Sequence, residues 1–248
     1  MLLQQGDNRT EPVDRRLGWT LAAIAGVLNT AAFHAVGYFA ANMTGNVSQA
    51  SNQMAFGYWW AGAFFLAILL FFILGAAVAT LLTNYGRRRQ LTGIYAVGIL
   101  VEALLMAGLG GLCLLLPASF EAPLLVLGLS FLMGLQNAVV TRISNAKVRT
   151  THVSGMTTDI GIELAMLLDA CRGKEIPQEL AAYRHRLRLH SQTLLAFLLG
   201  GVVGALLYQA IGLSVLFACA ALLFAMALRA LAKGARQRGG LPGAPGQA

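Results

Sequence analysis

The sequence predicts an all-α polytopic membrane protein. It has about six transmembrane helices laid out as two inverted three-helix repeats, with broken or re-entrant half-helices inside them. Three observations predict this. The chain is 57% hydrophobic and only 11% charged, whereas about a quarter of a soluble domain's residues are charged; several apolar runs exceed the roughly 20 residues that span a bilayer. One segment occurs twice: Gly26-Val27-Leu28-Asn29 leads to Met43-Thr44-Gly45-Asn46, and Gly134-Leu135-Gln136-Asn137 leads to His152-Val153-Ser154-Gly155. All 18 lysines and arginines fall in segments that alternate spans leave on one side.

In chain order, residues 1–16 are polar, with Asp7, Glu11 and Asp14, and read as a cytoplasmic N-terminal segment. The run Leu17–Ala41 is too long for a signal h-region and lacks a cleavage site, so it reads as span one. Spans two and three are Trp60–Thr83 and Gly93–Leu116, closing a first repeat over 17–116. Span four is Leu124–Ile143. Spans five and six, Ser191–Ile211 and Leu213–Leu231, meet at a short turn near Gly212, and the second repeat covers 117–231. Within it lies a basic cytoplasmic segment, about 169–190, with a helix start at Pro177. Leu180, Tyr183, Leu187 and Leu194 share one face there. Arg184, Arg186 and Arg188 flank that face, in the manner of an interfacial helix, or an extension of span five, touching anionic lipid. Residues 232–248 are rich in glycine and proline and read as a disordered cytoplasmic tail.

The basic residues set the orientation. Arg9, Arg15 and Arg16 precede span one, Arg87 to Arg89 follow span two, and eight more lie at or after the end of span four. By the positive-inside rule both termini are cytoplasmic. The net charge of +8 reflects this topology and does not call for a nucleic-acid partner. Three spans per repeat is odd, so two copies joined directly run in opposite directions. The break at Thr44-Gly45 then opens outward and that at Ser154-Gly155 opens to the cytoplasm.

After each break comes a segment too polar to face lipid. Residues 42–57 carry Asn42, Thr44, Asn46, Ser48, Gln49, Ser51, Asn52 and Gln53; residues 150–168 carry Thr150, Thr151, His152, Ser154, Thr157, Thr158, Asp159 and Glu163. Irregular backbone at membrane depth survives only where it lines a cavity or is buried in protein. One reading is a half-helix whose N-terminal N–H groups and dipole face a polar or anionic ligand. The other is a solvated loop followed by an interfacial helix. Recurrence of the pattern favours the first slightly.

Met43-Thr44-Gly45-Asn46, Gly134-Leu135-Gln136-Asn137-Ala138 and Thr150-Thr151-His152-Val153-Ser154-Gly155 with Thr158-Asp159 resemble the YoaK family. The resemblance covers nearly the whole chain. It implies a multi-span bacterial inner-membrane protein of unknown function, some members being labelled small-molecule transporters. The family often has an acidic residue where Asn29 stands here, so any coupling through that position differs in this chain.

Glu102 lies mid-span, where a carboxylate costs on the order of 2.5–3.5 kcal/mol and needs a partner or a proton. It reads either as a proton-coupling site or as an acid hydrogen-bonded to a neighbouring helix. His34 is a candidate partner for it, and Asp159 a second proton carrier. Asn29, Gln136 and Asn137 read either as interhelical hydrogen bonds, worth about 0.6–2 kcal/mol each, or as ligand contacts. Arg142, at the end of span four, reads as snorkelling to phosphates. Gly200 and Gly204 form a GxxxG that lets helices approach, with a homo-oligomer interface as the lesser use.

Cys113, Cys171 and Cys219 form no pair or metal spacing, and no cofactor is implied. There is no phosphate-binding glycine loop and no metalloprotease helix. His152 and Ser154 are too close in sequence to face each other on a helix, so an enzyme is not expected. The sequence points to a secondary transporter or permease for a small polar or anionic molecule. The binding residues would be Asn29, Thr44, Gly45, Asn46, Gln136, Asn137, Ser154, Gly155 and Thr157, and the proton carriers Glu102, Asp159 and His34. The alternative is a non-transporting membrane scaffold or ligand-binding sensor.

Overall fold

The computed structural model describes residues 2–3, 10–91, 93–173 and 177–239, and the described residues contain helices and no strand. The helices are α1 (Glu11–Val36), α2 (Met43–Ala55), α3 (Trp59–Arg88), α4 (Ile94–Leu115), α5 (Ala118–Ile143), α6 (Val153–Cys171), α7 (Pro177–Ile211) and α8 (Val215–Gly239), with a 3-10 turn at Gly212–Ser214. Among the described residues, five apolar helical stretches are long enough to cross a membrane. The fifth, Glu179–Arg236, takes in both α7 and α8. The protein is therefore an all-helical, membrane-embedded chain.

The helix ends follow from local chemistry. α1 starts with Pro12 in its first turn and Glu11 and Asp14 beside its positive dipole end. It stops at Gly37, whose left-handed φ of 77° lets its N–H donate back to the Phe33 carbonyl at 2.8 Å. α5 stops at Ser144. The Ser144 hydroxyl accepts from the Val148 N–H at 3.1 Å and closes the turn that follows.

The packing is built on glycine. The backbone of Gly26 lies against Phe197, and that of Gly200 against Ala23; a Cβ on either would meet a carbonyl oxygen at 2.1 Å. Gly134 lies against Phe72 and Gly75 against Phe131, with equivalent distances of 2.0 and 1.9 Å. The α1–α7 and α5–α3 pairs are thus locked by backbone-to-backbone approach, which only small residues allow. Gly200 and Gly204 serve this internal contact, Gly204 lying against Val27.

The same contacts give direction. Gly18 lies near Leu189 and Thr193 while Gly204 lies near Val27, so α1 and α7 run parallel. Gly98 meets Val139 and Gly128 meets Leu109, so α4 and α5 are antiparallel; Gly110 meets Phe217 and Gly93 meets Leu231, so α4 and α8 are too. His34 stacks near Tyr208 at one end of the bundle. At the other, Arg142 donates to Asn84 at 2.7 Å and Val148 lies against Gly18. The main core gathers Leu21, Leu28, Tyr95, Ile99, Met106, Leu129, Met133 and Leu223; a smaller one joins Ala50, Phe65, Ile68 and Val126 under α2. Around them an apolar belt on α3 and α7, including Leu70, Ile73, Leu81, Leu198 and Leu206, is exposed as only hydrocarbon would permit.

Three expectations need adjustment. Span one is displaced toward the N-terminus relative to Leu17–Ala41: its helix begins at Glu11, inside the segment assigned to the cytoplasm, and the chain breaks after Val36. Helix α8 runs on through Gly239, into the tail assigned to disorder, while 240–248 lie outside the described residues. Arg142 is half-buried against Asn84 and does not extend freely to lipid phosphates. The stretch from Pro177 is continuous with α7, so it is an extension of that helix, and Arg184, Arg186 and Arg188 are exposed on it. Arg9 and Lys174 fall outside the described residues.

Candidate functional site

At the first break, residues 37–42 cross from α1 to α2 and are held from below. Asn29, buried in α1, accepts the Ala41 N–H on its Oδ1 at 2.9 Å. Asn42 caps α2 by accepting the Gly45 N–H at 3.1 Å. Gly45 is glycine because the cap folds over it: a Cβ there would lie 2.2 Å from the Asn42 amide. Asn46 is buried and donates from Nδ2 to the Phe39 carbonyl at 3.2 Å. The rings of Phe33 and Phe39 stack at 4.4 Å, and Tyr38 meets Phe64 and Phe65 edge-on, each at 5.4 Å. A pocket of about 560 Å³ opens here, with Phe33, Tyr38, Phe39 and Phe65 as walls and Asn42, Asn46, Ser48, Gln49 and Asn52 as polar groups. It can take a small molecule that has a flat apolar part and several hydrogen-bonding groups.

The second break has a related plan. Asn137 accepts from Thr151 at 2.9 Å and from Thr150 at 3.5 Å, so it holds the 144–152 segment as Asn29 holds 37–42. His152 occupies the cap position of α6 without a side-chain cap bond. Its ring lies over Gly155, where a Cβ would meet it at 2.2 Å. Ser154, Thr157 and Asp159 are exposed, and the Thr157 hydroxyl donates to the Val153 carbonyl at 2.9 Å. Helix α6 is pinned to α7 by Glu163 and His190, 3.0 Å apart. Burial pushes the Glu163 carboxyl above the usual range, and the neighbouring His190 pulls it back.

Between the breaks lies Glu102, fully buried. Its Oε1 accepts from Gln136 Nε2 at 2.8 Å. Glu102 Oε2 and Gln136 Oε1 both lack a hydrogen-bond donor. His34 is exposed and stacks near Tyr208, 6.2 Å between ring centroids, so the acid's partner is Gln136 and not His34.

Residues 17–229 match the family model described as "Protein of unknown function (DUF1275)". The chain belongs to the DUF1275 family. No curated protein and no solved structure matches it.

In this DUF1275 protein the expected site residues form three groups. Asn29, Thr44, Gly45 and Asn46 are at the α1–α2 break, though exposed Thr44 does not line the pocket. Asn137, Ser154, Gly155, Thr157 and Asp159 are at the α5–α6 break, at the other end of the bundle. Gln136 and Glu102 pair in the core. Sequence reasoning missed the aromatic walls and the Glu163–His190 pair. It had a usable signal for Asn42, a cap residue three positions before a glycine. Among the described residues no cluster of histidine, cysteine and acidic side chains could hold a metal ion.

Proposed function

We propose that this DUF1275 protein is a secondary transporter or permease for a small polar or anionic molecule, built as two inverted repeats of three spans each. Paired contacts support the repeat. The Gly26–Phe197 and Gly200–Ala23 approaches become Gly134–Phe72 and Gly75–Phe131 when α1 residues are shifted by 108 positions and α7 residues by 125. The two polar breaks then sit at opposite ends, as alternating access between two rocking halves would use them. Six spans follow if the fifth apolar stretch is divided at Gly212–Ser214. The basic residues at one end argue for cytoplasmic termini in a bacterial inner membrane.

The observation that carries the reading is the pocket of about 560 Å³ at the first break, with amide groups on aromatic walls. It is the outward vestibule, and Glu102 is the proton carrier. The test is solute uptake by proteoliposomes, screening small polar acids and amides. A substrate should be accumulated by the native chain. Asn52→Leu should lose both binding and uptake, and Glu102→Gln should keep exchange but lose proton-driven accumulation. No uptake of any solute, with pocket labelling at Ser48→Cys unprotected by all of them, would sink the proposal. A sensor that binds without moving its ligand is the second reading. The complete burial of Glu102 favours it, since no open path reaches that acid.

A further inference from the structure

The outer face of the α1–α7 pair carries a second cavity, a cleft of about 720 Å³ whose lining includes no residue of either break. Its floor is where the two backbones touch: Ala23 and Val27 from α1, Gly200 from α7. The small floor residues make it concave. Its walls are apolar, with Leu199 and Val203 about half exposed. From Arg16 to Val27 the cleft follows eleven residues of helix, about 16 Å at 1.5 Å per residue. That is close to one leaflet, half of a hydrocarbon core of about 30 Å. At one mouth stand Arg15 and Arg16, and Trp19, half exposed, lies one turn further in. Neither arginine has an ion-pair partner among the described residues.

We propose that this cleft is a binding site for one anionic phospholipid of the leaflet on the basic side. An acyl chain lies along the α1–α7 seam. The headgroup phosphate accepts from Arg15 and Arg16, and the Trp19 ring sits at the level between headgroup and chain. Charge and shape together distinguish the site from the rest of the apolar belt. The belt on α3 ends in Arg87, Arg88 and Arg89 but presents an exposed helix face, as Arg184, Arg186 and Arg188 do, whereas the α1–α7 seam sets its two arginines at the mouth of a cleft. Two guanidiniums at headgroup depth select for negative charge, and the concave seam selects for an ordered chain over a freely exchanging one. The bound lipid would brace the contact that Gly26 and Gly200 make.

The full chain, extracted in mild detergent with equal amounts of phosphatidylglycerol and phosphatidylcholine, tests this by native mass spectrometry. The expected result is one retained phosphatidylglycerol per chain. Arg15→Gln with Arg16→Gln should weaken its retention on the order of thirtyfold. Ala196→Trp, which fills the cleft, should expel lipid of either class. Arg184→Gln, Arg186→Gln and Arg188→Gln together should leave it in place. Equal retention of the two lipids, or no effect of the Arg15/Arg16 change, overturns the proposal. So does a chain that purifies as a dimer and becomes a monomer in Ala196→Trp, because the cleft would then be a contact between copies. If Ala196→Trp fails to fold, the arginine pair alone decides the question.

Discussion

At the scale of single residues, one buried pair of polar side chains in the bundle locates a proton. Glu102 and Gln136 share one hydrogen bond, and each keeps an oxygen without a donor. A single proton on the carboxyl supplies the donor that the pair lacks. Glutamine at position 102 supplies the same donor permanently. Glu102→Gln should therefore fold with stability equal to the native chain or up to about 1 kcal/mol higher, while Glu102→Leu strands the Gln136 amide and costs about 1–3 kcal/mol. Unfolding midpoints in detergent check this, and equal losses in both variants would count against the paired-acid account. The glycines at the breaks make a second residue-scale case. Gly45→Ala forces the Asn42 cap away and should cost about 1 kcal/mol, as Asn42→Ala does alone. The double variant should cost little more than either single one, since both remove the same bond. Additive losses in the same unfolding assay would show that Gly45 has a separate task.

At the scale of helices, crossing a membrane is legible in sequence because it depends on length and composition alone. The apolar runs therefore reappear as helices, with their ends displaced by a few residues. The repeated motif was legible too, and the asparagines it contains do the same work twice: Asn29 and Asn137 each hold the segment that follows their helix. Helix pairing was not legible. Nothing local distinguishes Gly75, buried against Phe131, from Gly108, which has open space around it. The pocket walls were hidden for a similar reason, since Phe33 and Phe65 read as ordinary span residues until the α1–α2 break brings them together. Glycine pairing yields a direct prediction. Gly75→Ala and Gly200→Ala should each destabilise by about 1–3 kcal/mol, because the added carbon overlaps a facing carbonyl. Gly108→Ala should stay within about 0.5 kcal/mol of the native chain. Equal effects at all three positions would show that the close approaches do not hold the helices.

At the scale of the whole molecule, the two ends differ in chemistry. One end carries exposed Phe56, Tyr58, Trp59 and Trp60, rings suited to a membrane interface, and the α1–α2 break. The other gathers Arg87 to Arg89, Arg142, Arg149, Arg172, Arg229 and Lys233 with the α5–α6 break. An aromatic girdle opposite a basic end is the distribution that insertion with that basic end inside would produce. The native cysteines report on this without any engineered site. Cys113 and Cys219 are buried, and Cys171 is exposed beside Arg172 at the end of α6. In the proposed orientation Cys171 faces the cytoplasm, so a membrane-impermeant maleimide should leave the chain unlabelled in intact bacterial cells. In inside-out vesicles it should add one label per chain, and Cys171→Ser should abolish it. Denaturant should then expose Cys113 and Cys219, raising the native count to three. Labelling of Cys171 from outside intact cells would reverse the orientation. It would place the aromatic-walled pocket on the cytoplasmic side, and the proposed direction of access would have to be turned with it.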